Sequence, residues 1–171
     1  MAESLAAGWR TDQVAVMQQL RDWGDTSTEL NQHLAAWMGL PTSDANALGH
    51  ITWSAEAGQP LSPVALSRRI GMTSGATSVL LGRLEAAGHI VRERSRTDLR
   101  RVSLRPTDAT RERTRAFLGF AGAEVAAALR SAGPEELRHV LAFLERMTAA
   151  NRQANERLAR GVHPSAEPRL G

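Results

Sequence analysis

The sequence predicts a mainly α (α+β) fold, and three observations predict it. Ala and Leu dominate, while Val, Ile and Phe are sparse and Tyr is absent, a composition that favours helices over sheets. Apolar residues recur at helical spacing over most of the length, from Val14 to Met147. Clear apolar–polar alternation is confined to two short segments between His89 and Arg105. At 171 residues and 42% apolar content, the chain suits one compact domain, or one domain with long helical extensions.

Taken in order, residues 1–10 form an expected flexible N-terminus. Over 11–38, Val14, Met17, Leu20, Trp23, Leu30, Leu34 and Trp37 fall at helical spacing. Gly24-Asp25 interrupts that run, which predicts a kink or two helices there, and Gly39-Leu40-Pro41 ends it. Thr42 or Ser43 is placed to cap a second helix over 43–57, stopped by Gly58-Gln59-Pro60. Ser62 followed by Pro63 is an N-cap with a first-turn proline, opening a short helix over 63–70. Gly71-Met72 turns the chain. Thr73 caps a third helix that runs to about Ala87, where Gly88 stops it. A short helix, a turn containing Gly and a longer helix make a helix-turn-helix. On the longer helix Thr77, Leu80, Leu81 and Leu84 share a core-like face. Ser74, Ser78, Val79 and Gly82 share a small, weakly polar one suited to close approach to a groove floor.

His89–Arg94 and Arg101–Arg105 then read as a β-hairpin around a polar turn. Arg92, Arg94, Arg96, Arg100, Arg101 and Arg105 lie on or near it, and a hairpin this basic straight after a helix-turn-helix is a wing. Pro106-Thr107 opens a long Ala-rich helix to about Arg130, broken by Ser131-Ala132-Gly133-Pro134. Glu135 and Glu136 suit the first turn of a last helix, to about Arg160, with Leu137, Val140, Leu141, Leu144 and Met147 on one face. Residues 161–171 form an expected flexible tail. The predicted architecture is a winged helix-turn-helix, the DNA-binding domain, over residues 43–106, with long N- and C-terminal helices over residues 11–42 and 107–160.

Charge placement supports this reading. The net charge is only +3, but residues 68–115 hold 12 of the 21 arginines against five acids, a local net of +7, leaving −4 elsewhere. A basic block in a mildly acidic body is a footprint for a polyanion, although charge blocks also serve as solvated faces. Without Cys there is no disulfide, thiolate zinc site or thiol redox switch. The five His show no close metal-ligand spacing, and no cofactor is expected. No secretory segment or apolar run near 20 residues is visible, so a cytoplasmic, non-membrane protein is the expectation. No nucleophile–base set or phosphate loop points to an enzyme, and Gly71 to Gly82 lacks a P-loop Lys.

The order and spacing of these pieces resemble the MarR family of bacterial regulators over residues 11–160. The resemblance is strongest in Leu61-Ser62-Pro63-Val64-Ala65-Leu66-Ser67-Arg68-Arg69-Ile70-Gly71-Met72 and in Gly82-Arg83-Leu84-Glu85-Ala86-Ala87-Gly88-His89-Ile90-Val91. The wing carries Asp98, Arg100 and Val102 at the family's Asp-x-Arg spacing, and Gly133-Pro134-Glu135-Glu136-Leu137 resembles the usual opening of the last helix. The resemblance implies a ligand-responsive repressor. It would be a homodimer, with the long N- and C-terminal dimerisation helices of residues 11–42 and 107–160 as its helical dimerisation region, placing two winged domains in successive major grooves of a pseudo-palindromic double-stranded DNA operator. A winged-helix protein-interaction module that never touches DNA is the alternative, and six hairpin arginines count against it.

The residues expected at DNA are Arg68, Arg69, Thr73, Ser74, Gly75, Ser78, Val79, Arg83, Arg94, Arg96, Asp98, Arg100 and Arg101. Thr73 is an N-cap whose helix N-terminus also suits a phosphate. Ser74 and Ser78 have capping or solvent exposure as the plain reading. Arg83 is either paired with Glu85 or Asp98 or set against a phosphate. Arg100 suits a narrow minor groove, with Asp98 orienting the hairpin. Leu99 and Val79 depart from the family pattern, which shifts specificity towards thymine-methyl contact and groove shape. The resemblance also implies a small aromatic or phenolic effector between the helical body and the winged domain. His33, Trp37, His50 and Trp53 are its candidate ligands, the alternative being core Trp and surface or satisfied His.

Overall fold

The structure, a computed structural model, describes residues 8–94 and 102–161. Among these the order is α1 (Thr11–Met38), α2 (Thr42–Glu56), α3 (Pro63–Ile70), α4 (Ser74–Ala86), β1 (Ile90–Arg94), β2 (Val102–Pro106), α5 (Asp108–Ala121), α6 (Ala123–Ser131) and α7 (Pro134–Ala159). The chain divides into two compact units, one ending at Gly122 and the other beginning at Ala123.

In the first unit α1 is one continuous helix, which corrects the break expected at Gly24-Asp25. A helical Gly costs about 1 kcal/mol relative to Ala, too little to part the run even beside the weak formers Asp25 to Thr28, with stronger formers at Gln18 to Arg21 before it and Glu29 and Leu30 after it. Thr26 and Thr28 donate their hydroxyls back to the carbonyls of Asp22 and Gly24 at 2.9 and 2.8 Å, so they add no competing cap. The helix ends on Gly39, whose φ of 69° permits the Leu40 N–H to reach the Ala35 carbonyl at 2.9 Å. Helix α2 starts one residue earlier than the sequence suggests. Pro41 is its N-cap, and neither Thr42 nor Ser43 caps it.

The helix-turn-helix forms as its caps dictate. The Ser62 hydroxyl accepts from the Ala65 N–H at 3.2 Å, and the Thr73 hydroxyl accepts from the Ala76 N–H at 3.3 Å. Gly71 turns the chain at φ 66°. The core is Met38 of α1, Leu48 and Ile51 of α2, Leu66 of α3, Leu80, Leu81 and Leu84 of α4, Ile90 of β1 and Leu104 of β2. Burying each large side chain stabilises the unit by roughly 1.5–3 kcal/mol. β1 and β2 pair antiparallel with Ile90 opposite Pro106 and Arg94 opposite Val102. The Leu104 N–H also donates to the Leu61 carbonyl at 2.8 Å, tying the second strand to the entry of α3.

The long helix expected from Thr107 to Arg130 is two helices. Thr107 is the N-cap of α5, its hydroxyl accepting from the Thr110 N–H, but α5 stops at Gly122 and α6 begins at Ala123. Gly119 and Gly122 weaken this turn. A Cβ at Gly122 would sit 2.7 Å from the Leu118 carbonyl oxygen, so only glycine closes the helix in this way. In the second unit, Pro134 occupies the first turn of α7 with Glu135 and Glu136, as expected. Neither α6 nor α7 has a buried residue, and Leu137, Val140, Leu141 and Leu144 are exposed.

Candidate nucleic-acid interface

Helix α4 is two-sided. Thr77, Leu80, Leu81 and Leu84 are fully buried, which fixes the helix rotation. That rotation leaves Ser74, Gly75, Ser78, Val79 and Gly82 exposed, with Val79 at 61%. A Cβ built on Gly75 or Gly82 meets nothing within 4 Å, so this face is shallow because its side chains are small. Thr73 caps the helix and has its own hydroxyl engaged there.

The arginines expected at DNA divide into three sets. Arg68 and Arg94 are exposed. Arg69 is exposed as well, but its Nη1 donates to the Ser54 hydroxyl at 2.9 Å, anchoring the end of α3 to α2. Arg83 turns away from Glu85. Its Nε and Nη2 donate to the two carboxylate oxygens of Asp44 at 2.9 and 2.7 Å, a partner that the sequence reading did not name. Glu85 pairs instead with Arg92 at 3.1 Å. Arg105 likewise pairs with Glu93 across the two strands at 2.6 Å. Two of the six hairpin arginines are therefore partly neutralised by acids of the same region. Arg96, Asp98, Arg100 and Arg101 lie outside the described residues.

Asp44 is 1% exposed, in the first turn of α2. The Arg83 guanidinium, with a hydrogen bond from Ser43, holds its carboxyl below the ordinary value of 3.8 despite burial. Beyond the far end of α4, His89 is buried and its Nδ1 lies 3.1 Å from the Thr110 hydroxyl. Burial, and then the Arg113 charge, push its pKa below the usual imidazole range.

A cavity of about 640 Å³ lies between α1, α2 and α5. His50 and Trp53 line it, as the sequence reading expects. His33 and Trp37 do not: His33 is exposed, and Trp37 stacks obliquely on Phe117 with ring centroids 6.4 Å apart. Trp37 and Trp53 are 53% and 77% exposed, so neither is a core residue. The sequence reading missed the α5 contribution, Arg111, Thr114 and Arg115, and the α2 pair Thr52 and Glu56. Arg111 bonds Glu56 there, and the buried Thr52 hydroxyl has no hydrogen-bond partner among the described residues. Burial, and then the Arg69 charge, lower the His50 pKa, which favours the neutral ring in this wall. Among the described residues no group of His, Asp or Glu is arranged to hold a metal ion, and no helix is long and apolar enough to cross a membrane.

Residues 38–101 match the model of the MarR family. That segment runs from the end of α1 through both helices of the helix-turn-helix and β1, and stops just before β2. The HTH-type transcriptional regulator YcgE of Bacillus subtilis (strain 168) is 26% identical over 142 residues, which cover 83% of this chain and 90% of that protein. Among solved structures, a MepR mutant from a multidrug resistant S. aureus clinical isolate is 18% identical with a TM-score of 0.62, covering 79% of this chain and 96% of MepR. A second S. aureus MepR mutant, solved bound to an oligodeoxyribonucleotide, is 18% identical with a TM-score of 0.50, covering 79% and 96%. The family is one of transcription regulators, not enzymes. The capped helix-turn-helix, the two-stranded wing and the family match over this segment agree, and over residues 38–101 the chain is similar to the MarR family.

Proposed function

We propose that this regulator is a homodimeric, ligand-responsive repressor that reads a pseudo-palindromic DNA operator. The observation that carries the DNA reading is the outward face of α4, where Ser74, Gly75, Ser78, Val79 and Gly82 stand exposed while the opposite face is locked in the core. A shallow face of this kind lets backbone and short side chains approach base edges in the major groove, and Val79 suits a thymine methyl. Exposed Arg68 and Arg94, with Arg96, Arg100 and Arg101 of the wing sequence, supply phosphate and minor-groove contacts. The oligodeoxyribonucleotide complex of the MepR mutant, a structure of the same fold holding DNA, supports the assignment.

Dimerisation is assigned to residues 11–42 and 107–160, flanking the DNA-binding residues 43–106. The exposed apolar residues of α7 support it, because such a stripe is stable in water only when covered. The cavity between α1, α2 and α5 is the assigned effector site, with His50 and Trp53 against a planar aromatic ring and Arg111 or Arg115 near its anionic group. A cytoplasmic location follows from a role at DNA.

The test is fluorescence anisotropy on a duplex recovered from a random pool with this protein, and on its scrambled form, across several salt concentrations. A dimer with roughly 6–10 phosphate contacts gives a log–log salt slope of about −5 to −9. Arg94→Ala and Arg101→Ala should weaken both duplexes and make the slope shallower by about two per dimer. Ser78→Ala and Val79→Ala should leave the slope in place and change the preferred bases, at about 1–3 kcal/mol per lost contact. Parent protein with no salt-dependent affinity for either duplex would refute the assignment.

A further inference from the structure

Asp44 sits on α2, outside the exposed face assigned to DNA, yet its carboxylate is wholly committed to a residue of α4 and to its own neighbour. It accepts from Arg83 Nε and Nη2 and from the Ser43 hydroxyl at 2.9, 2.7 and 3.1 Å, and it is 1% exposed. The Arg83 side chain remains 51% exposed, and Nη1 takes no part in the pair. On α4 Arg83 stands one turn beyond Val79, at the border of the outward face.

Stability alone does not require this arrangement, because an ion pair with one buried partner is often no more stabilising than an apolar pair of similar volume. A bidentate fork, by contrast, removes the rotamer freedom of a long side chain and fixes the plane of its guanidinium. Resting on the DNA reading above, we infer that Asp44 is a positioning residue for DNA recognition. It clasps Nε and Nη2 of Arg83 so that the exposed remainder of the guanidinium is held beside Val79, ready to donate to a backbone phosphate in one register only. Phosphate contacts of fixed geometry set the register in which base edges are met, so a loose Arg83 would keep its attraction for DNA and lose its contribution to discrimination.

The experiment compares the same selected and scrambled duplexes. Asp44→Asn keeps the volume and removes the charge that fixes the fork. It should weaken binding to the selected duplex by roughly tenfold while leaving the scrambled duplex bound as before or more tightly, since Arg83 keeps its charge. Arg83→Lys retains the charge without the fork and should show the same pattern, and Asp44→Asn should add nothing on top of it. The apolar pair Asp44→Leu with Arg83→Leu keeps the helices packed, as a thermal melt would report, and should lose the discrimination that the parent has. It also decides the matter if Asp44→Asn fails to fold. Equal affinity changes on both duplexes, or parent-like discrimination in the folded Leu–Leu variant, would show a clasp that only holds α2 to α4 and would overturn the positioning role. If the parent shows no salt-dependent affinity for either duplex, the DNA reading falls and this role with it. If the parent discriminates and every variant discriminates equally, this role alone falls.

Discussion

Helices α4 and α7 each carry a row of large apolar residues at helical spacing, and the molecule treats these two rows in opposite ways. Leu80, Leu81 and Leu84 of α4 are fully buried by residues of α1, α2, α3 and the hairpin. Leu137, Val140, Leu141 and Leu144 of α7 have comparable spacing and remain 38–59% exposed. The first face is complete within one chain, while the second is a surface in this chain. Apolar periodicity therefore says that a face will be covered, and the neighbouring sequence decides whether the chain itself covers it. The winged unit brings residues of five further elements into one core with α4, whereas α7 follows only a short helix in its own unit.

The most demanding test of this contrast is a matched truncation. Leu81→Ala should destabilise the fold by about 2–5 kcal/mol in urea denaturation, through lost transfer energy and a cavity. Leu141→Ala should cost under about 1 kcal/mol of monomer stability while raising the dissociation constant of the proposed dimer about tenfold, measured by sedimentation. Equal losses in monomer stability would mean that α7 is covered within the chain.

A second test uses pH. The Asp44 carboxyl titrates below its ordinary 3.8 because Arg83 pairs with it. A depressed folded-state pKa contributes stability that is fully present above the unfolded value and is lost as pH falls through the folded one. The winged unit should therefore lose stability as pH falls below about 4, and Asp44→Asn should flatten that part of the profile. The exposed face of α7 should show no matching loss. The smallest effect belongs to the hairpin ion pairs. Glu85→Gln, which frees the half-exposed Arg92, should change the melting free energy by about 0–1 kcal/mol and tighten non-specific DNA binding slightly. A large stability loss there would show that the wing is fixed by charge rather than by Ile90 and Leu104.

Features under short-range control were legible in the sequence. Ser62 and Thr73 cap α3 and α4 because each places a hydroxyl oxygen three residues before an orphan N–H. Gly39, Gly71 and Gly88 turn the chain at positive φ, where a side chain would meet strain. The two faces of α4 followed from a period of about 3.6 residues. Which long side chains meet was settled by packing. Arg83 could reach an acid two residues away in sequence, but the core rotates α4 so that its partner is Asp44, 39 residues distant. The continuity of α1 through Gly24, the split at Gly122, the exposed Trp37 and Trp53, and the α5 wall of the cavity belong to the same class. Each depends on differences of about 1 kcal/mol that local preference leaves nearly balanced, and packing between distant segments resolves them.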